Sequence, residues 1–149
     1  MKHKLTIGRF DKADFLDFGL ENLDVKIDTG AYGCSIHCDY IEEVDEGGKN
    51  IIKFRLLDPE HLLYTGKTIS ANNYTKKTVK SSSGKPENRF VVVTKIRLFN
   101  QVFEIKISLT NRGEMKFPVL LGRTLLSRNF IVDTARTNLS YKEKIKPAQ

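Results

Sequence analysis

The sequence predicts an all-β fold, and three observations carry that prediction. Between residues 102 and 109 apolar and polar side chains alternate. Phe103, Ile105, Ile107 and Leu109 share one face, and Glu104, Lys106 and Ser108 the other, which is the period of a half-buried strand. Residues 90–99 are rich in β-branched and aromatic side chains, which fit a pleated surface. Helical periodicity is scarce, while turn formers recur at Gly47-Gly48, Asp58-Pro59 and Gly84-Lys85-Pro86.

The elements follow in chain order. Residues 11–18 read as a short helix or a strand-like arm. Residues 25–28 form a short buried strand running into Asp28-Thr29-Gly30. Residues 36–44 form the next strand, stopped by Gly47-Gly48, and residues 51–57 another, stopped by Asp58-Pro59. Residues 81–86 are a loop or hairpin tip by composition. Residues 90–99 and 102–109 make a hairpin about Asn100-Gln101. Residues 117–122 are an apolar strand closed by glycine, and 124–129 give one or two turns of helix. The polar tail, 142–149, is expected to fray. No repeat or linker divides the chain, so residues 1–149 are expected to be one domain.

No apolar run approaches membrane-spanning length, and the N-terminal lysines are not followed by the apolar core of a secretory signal. A cytoplasmic protein is expected, with Cys34 and Cys38 as reduced, buried thiols. The net charge of +7 conceals an asymmetry. Residues 1–60 hold 8 Lys/Arg against 13 Asp/Glu, whereas residues 61–149 hold 17 against 5. A basic half points to an acidic peptide, a nucleic acid or an anionic surface as partner.

Asp28-Thr29-Gly30 after an apolar strand is the mark of an aspartic-protease half-site, and Phe117-Pro118-Val119-Leu120-Leu121-Gly122-Arg123 is the strand such enzymes thread beside it. Further segments extend the likeness: Ile7-Gly8-Arg9, Val79-Lys80-Ser81-Ser82-Ser83-Gly84 with Glu87 and Arg89, Leu109-Thr110-Asn111-Arg112 with Met115, and Phe130-Ile131-Val132-Asp133. With these motifs the chain resembles the RimB-like retropepsin family, formerly called ATP-dependent zinc proteases. Its members are often encoded near an ATP-grasp ligase that adds glutamates to a ribosomal protein. The resemblance implies a small closed retropepsin-like β-barrel with one short C-terminal helix. It also implies a homodimer, because one chain supplies one catalytic loop. The expected substrate is an acidic or glutamate-tailed peptide, with the ATP-grasp glutamate ligase as a further partner and no membrane.

By this reading Asp28 is the catalytic acid. Thr29 hydrogen-bonds across the dimer interface, and Gly30 permits a turn that a side chain would block. Two carboxylates about 3 Å apart share one proton, so one activates water and the other polarises the scissile carbonyl. Ala31, Ser81, Ser82, Ser83, Gly84, Glu87 and Arg89 are the expected substrate contacts. Lys76, Lys77, Lys80 and Lys85 flank that loop. Gly122 packs beside the acid and Arg123 braces the interface. Tyr32 stands where retroviral proteases carry an acid that pairs with the arginine, so Arg123 must find another partner. Asp133-Thr134-Ala135 echoes Asp28-Thr29-Gly30, but alanine replaces the glycine and Asp133 reads as structural. The chemistry asks for no cofactor and no metal. Cys34, His37 and Cys38 lack the second ligand pair of a structural zinc site. The alternatives are a catalytically idle basic barrel that binds nucleic acid or ribosomal surface, with Tyr64 and Tyr74 beside the basic run, and a metal-dependent peptidase.

Overall fold

A computed structural model describes residues 3–80, 84–111 and 116–147 of the chain. The strands are β1 (Leu5–Ile7), β2 (Phe10–Phe15), β3 (Leu20–Ile27), β4 (Cys34–Glu46), β5 (Lys49–Leu56), β6 (Ile69–Ala71), β7 (Thr75–Lys80), β8 (Pro86–Leu98), β9 (Gln101–Thr110), β10 (Val119–Leu121) and β11 (Phe130–Val132). Two short helices, α1 (Arg123–Asn129) and α2 (Leu139–Lys144), flank β11. Hydrogen-bonded neighbours run β10-β3-β2-β8-β9-β4, and β4 pairs again with β10, so six strands close a ring. The three residues of β10 close it by pairing parallel to β3 on one side and antiparallel to β4 on the other. Val119 and Leu121 are accordingly completely buried.

Alternation sets the interior. Phe103, Ile105, Ile107 and Leu109 of β9 point inward beside Val92, Thr94, Ile96 and Leu98 of β8. The turn between these strands falls one residue earlier than expected, at Phe99-Asn100, both with positive φ. A left-handed phenylalanine is costly, and tertiary contacts offset the cost. The Phe99 ring packs on Phe130, and its N–H donates to Ser140 Oγ at 2.8 Å. The Gly47-Gly48 turn falls where the sequence puts it, with both residues left-handed and Asp45 Oδ1 accepting the Gly48 N–H. The 11–18 arm resolves into β2 and a 3-10 turn, Leu16–Phe18. The anticipated helix at 124–129 is α1.

The tail departs from expectation, because residues 142–144 belong to α2. Asp11, completely buried on β2, accepts the N–H groups of Ser140 and Tyr141 at 2.8 and 3.0 Å. It thereby caps a helix whose own Asn138 makes no side-chain cap. Lys144 then clamps both Asp14 oxygens at 2.8 and 2.9 Å. Among the described residues no helix is long and apolar enough to cross a membrane.

Two hairpins leave the ring. β4 bulges between Cys38 and Tyr40 and continues outward with β5 and β6. β7 pairs with the outer half of β8, from Thr75↔Val91 to Lys80↔Pro86, and so forms an arm whose tip holds Gly84 at φ +83°. Ser81, Ser82 and Ser83 lie outside the described residues.

Candidate active site

β3 delivers Asp28 to the end of the β3–β10 ladder, where the Asp28 N–H donates to the Leu121 carbonyl at 2.9 Å. Asp28 Oδ1 accepts the Gly30 N–H at 3.0 Å, and the Asp28 carbonyl accepts the Ala31 N–H at 3.2 Å. This Asx turn fixes the carboxylate and leaves Asp28 half-buried, with Thr29 and Gly30 exposed. Gly30 does not have a positive φ. A Cβ there would meet Asp28 Oδ1 at 3.3 Å, so the glycine leaves room for the carboxylate rather than for the backbone.

Gly122 is fixed by close approach. A Cβ on it would stand 2.3 Å from the Gly33 carbonyl oxygen and 2.7 Å from that of Ala31. The following N–H groups, of Arg123 and Thr124, donate to the carbonyls of Ala31 and Tyr32 at 2.9 and 2.8 Å. Arg123 Nη1 donates to the Thr29 carbonyl at 3.0 Å, and its guanidinium lies 5.9 Å from the Tyr32 ring centre. The arginine therefore finds a carbonyl and an aromatic face in place of an acid. Lys77 lies at the same distance from that ring, so Tyr32, 67% exposed, stands between two cations.

Beyond Tyr32 opens a cleft of about 960 Å³. Tyr32 to Cys34 form its mouth, β9 its floor, and β7 and α1 its walls. Lys76, Lys77, Lys106 and Arg128 line it together with the apolar Val91 and Leu125. Lys106 and Arg128 escaped the sequence reading because each looks like an ordinary solvated position on its own element. Of the lysines singled out from sequence, Lys76 and Lys77 reach the cleft. The side chain of Lys80 is outside the described residues, and Lys85 is exposed near the arm tip. Glu87 and Arg89 sit on the arm strand β8, 3.8 Å apart, and neither lines the cleft.

Cys34 and Cys38 are free and buried, and burial pushes both thiols above the usual range. His37 is buried as well, with Nε2 2.7 Å from Asp58 Oδ1. Among the described residues no group of three His, Cys, Asp or Glu side chains is placed to hold a metal ion. Tyr64 and Tyr74 direct their hydroxyls to Asp39 and Glu43, and the Glu43 hydrogen bond pushes the Tyr74 phenol up to about 12. Both rings are thus engaged on the β4 hairpin. Asp133 ends β11 in an Asx turn of its own, with Oδ1 accepting the Ala135 N–H at 3.0 Å.

A sequence model of the retropepsin-like aspartic endopeptidase RimB family matches residues 7–143. This chain belongs to the RimB-like family. The matched stretch contains the Asp28 turn, the β10 strand, the cleft and α1. Two curated relatives are each 29% identical, from Desulfotalea psychrophila over 89% of this chain and from Shewanella pealeana over 91%; both are named probable alpha-L-glutamate ligase. The chain spans less than a third of their length, 28% and 30% respectively. A solved Legionella pneumophila structure of unknown function (DUF785) superposes with a TM-score of 0.66 at 30% identity, covering 93% of this chain and 99% of that one.

Proposed function

We propose that the protein is an aspartic endopeptidase that works as a homodimer in the cytoplasm, with Asp28 of each copy forming one catalytic dyad. The observation that carries this reading is the half-exposed Asp28 carboxylate, held on a braced turn beside a large cleft. The carboxylate is pre-positioned by the Gly30 N–H, and the turn behind it is tied to β10 and α1 by Leu121, Gly122 and Arg123. Pre-positioned charge of this kind needs no reorganisation at the moment of reaction. Each chain offers one such Asp-Thr-Gly turn, so the second carboxylate comes from a second copy, with Thr29 bridging the two loops. One ionised carboxylate takes a proton from water. The protonated partner donates to the scissile carbonyl oxygen, and the resulting tetrahedral adduct collapses as the amide nitrogen is protonated.

The substrate we assign is an acidic peptide, including a glutamate-tailed ribosomal protein. The basic lining of the cleft supports this, and so do the relatives whose longer chains bear a glutamate-ligase name. In this reading a ligase of that kind makes the glutamate extension and the peptidase removes it, so the ligase is a natural partner. Ala31, Ser81, Ser82, Ser83, Gly84, Glu87 and Arg89 remain the proposed substrate contacts around the dyad.

The test is incubation of a glutamate-tailed peptide with wild type and Asp28→Asn, EDTA present, read by mass spectrometry. Cleavage by wild type alone is expected. Equal cleavage by both proteins, or cleavage that EDTA abolishes, defeats the dyad.

A further inference from the structure

The cleft beside Tyr32 has a charge balance that the dyad does not explain. Four cations line it against one carboxylate, Glu104. Two of the four are already engaged: Lys76 is paired with Glu43 at 2.7 Å, and Lys77 lies over Tyr32. Glu104 has Lys95 directly opposite in the β8–β9 register. Lys106 on the floor and Arg128 on the α1 wall are exposed, and among the described residues neither has a carboxylate partner. Unpaired like charges around one concave surface focus a positive potential into it. Val91, Phe103, Ile105 and Leu125 supply apolar lining, and Thr75, Ser108, Thr124 and Asn129 add neutral polar groups. A cleft with apolar patches and two cations without carboxylate partners suits a side chain with a methylene stem and an anionic end, and a guanidinium can hold a carboxylate by two parallel bonds.

We propose that this cleft is a specificity subsite in which Lys106 and Arg128 hold a carboxylate side chain of the substrate away from the scissile bond. Asp28, Thr29, Gly30 and Ala31 do not line it; the lining starts at Tyr32. Tyr32 is four residues from Asp28, at most about 14 Å of chain, so the cleft begins close to the Asp28 turn. The assignment rests on the peptidase reading and adds to it the residues that recognise the acid.

The test uses fluorescence anisotropy of a labelled peptide carrying several glutamates, and its all-glutamine counterpart, on full-length Asp28→Asn protein. In that background Lys106→Gln/Arg128→Gln is expected to weaken the acidic peptide about tenfold or more. The control pair Lys49→Gln/Lys67→Gln, exposed and outside the cleft, removes the same charge and is expected to change affinity less than about twofold. Equal weakening by the two pairs assigns the effect to overall charge and overturns the subsite, as does failure of wild-type lining to distinguish the two peptides. An oligonucleotide that binds more tightly than the peptide and responds to the same pair also overturns it. Turnover of the same acidic peptide by the enzyme with Asp28 intact separates the two readings. Binding that depends on Lys106 and Arg128 without cleavage keeps the subsite and sinks the peptidase. Cleavage indifferent to them does the reverse.

Discussion

The Asp28 and Asp133 turns are built on one plan. Asp28 follows β3, which runs parallel to β10; Asp133 follows β11, which runs parallel to β1. The N–H of each aspartate donates at 2.9 Å to the neighbouring strand, Asp28 to Leu121 and Asp133 to Ile7. Each is followed across the ladder by Gly-Arg. The Arg123 N–H meets the Ala31 carbonyl and the Arg9 N–H meets that of Arg136, both at 2.9 Å. Arg123 Nη1 reaches the Thr29 carbonyl at 3.0 Å, and Arg9 Nη1 the Thr134 carbonyl at 3.2 Å. Gly8 is as tightly confined as Gly122, since its Cβ would lie 2.2 Å from the Arg136 carbonyl oxygen. The hydrogen-bond frame is therefore a way of ending two parallel strands, and the frame alone does not make a site. What distinguishes Asp28 is what surrounds it: glycine rather than alanine two residues on, and a basic cleft beyond the turn. The Asp-Thr half of this correspondence is visible in the sequence; the Gly-Arg half, Gly8-Arg9 against Gly122-Arg123, is not, because each copy is two segments of a few residues far apart in the chain.

The largest expected effect separates the two acids. Asp28→Asn should lower turnover of an acidic peptide by about a thousandfold, whereas Asp133→Asn should leave it within about twofold of wild type. Comparable losses from both would mean that Asp133 takes part in the dyad. The two glycines should instead behave alike in stability. Gly8→Ala and Gly122→Ala each force a Cβ into a backbone oxygen and should cost about 1–3 kcal/mol or more in urea unfolding. Only Gly122→Ala should also reduce kcat in the protein that remains folded.

A smaller effect tests the residue at which the turns differ. Gly30→Ala places a methyl 3.3 Å from Asp28 Oδ1 and should lower kcat by about tenfold or more through misplacement of the carboxylate. The reverse change in the other turn, Ala135→Gly, should shift stability by no more than about 1 kcal/mol and leave kcat alone.

The smallest effect concerns α2, which follows the Asp133 turn. Burial pushes the Asp14 carboxyl up, but hydrogen bonds from Lys144 and the Asn22 N–H, with the charges of Lys144 and Arg97, outweigh it and hold Asp14 below the ordinary carboxylate range. Its contribution is present above the unfolded pKa, about 4, and is lost as pH falls through the lowered folded value. Asp11 has the opposite sign. Burial raises its carboxyl further than the N–H groups of Ser140, Lys12 and Tyr141 lower it, so its share of stability falls as pH rises from the ordinary to the raised value. Asp14→Asn should flatten the acid limb of a stability–pH curve. Failure of that limb to change would place the pH dependence elsewhere.

Much of this molecule is legible in the residues. Period-two alternation determines β9 and its inward set, because a one-residue slip would turn four large apolar side chains to solvent. Gly47-Gly48 determines its turn, because both positions require positive φ. Asp28-Thr29-Gly30 with the Leu121-Gly122-Arg123 strand determines that a braced carboxylate exists. Tertiary structure decided the rest. β1, β10 and β11 are three residues each, too short for a periodic signal, and exist because partners from distant chain flank them. α2 is capped by a buried aspartate 129 residues earlier in sequence, so nothing local announces it. Gly30 owes its importance to a carboxylate two residues away, not to its own φ. Lys106 and Arg128 come together only because the fold brings β9 and α1 to one cleft, since electrostatic meaning depends on distance in space and sequence carries only distance along the chain.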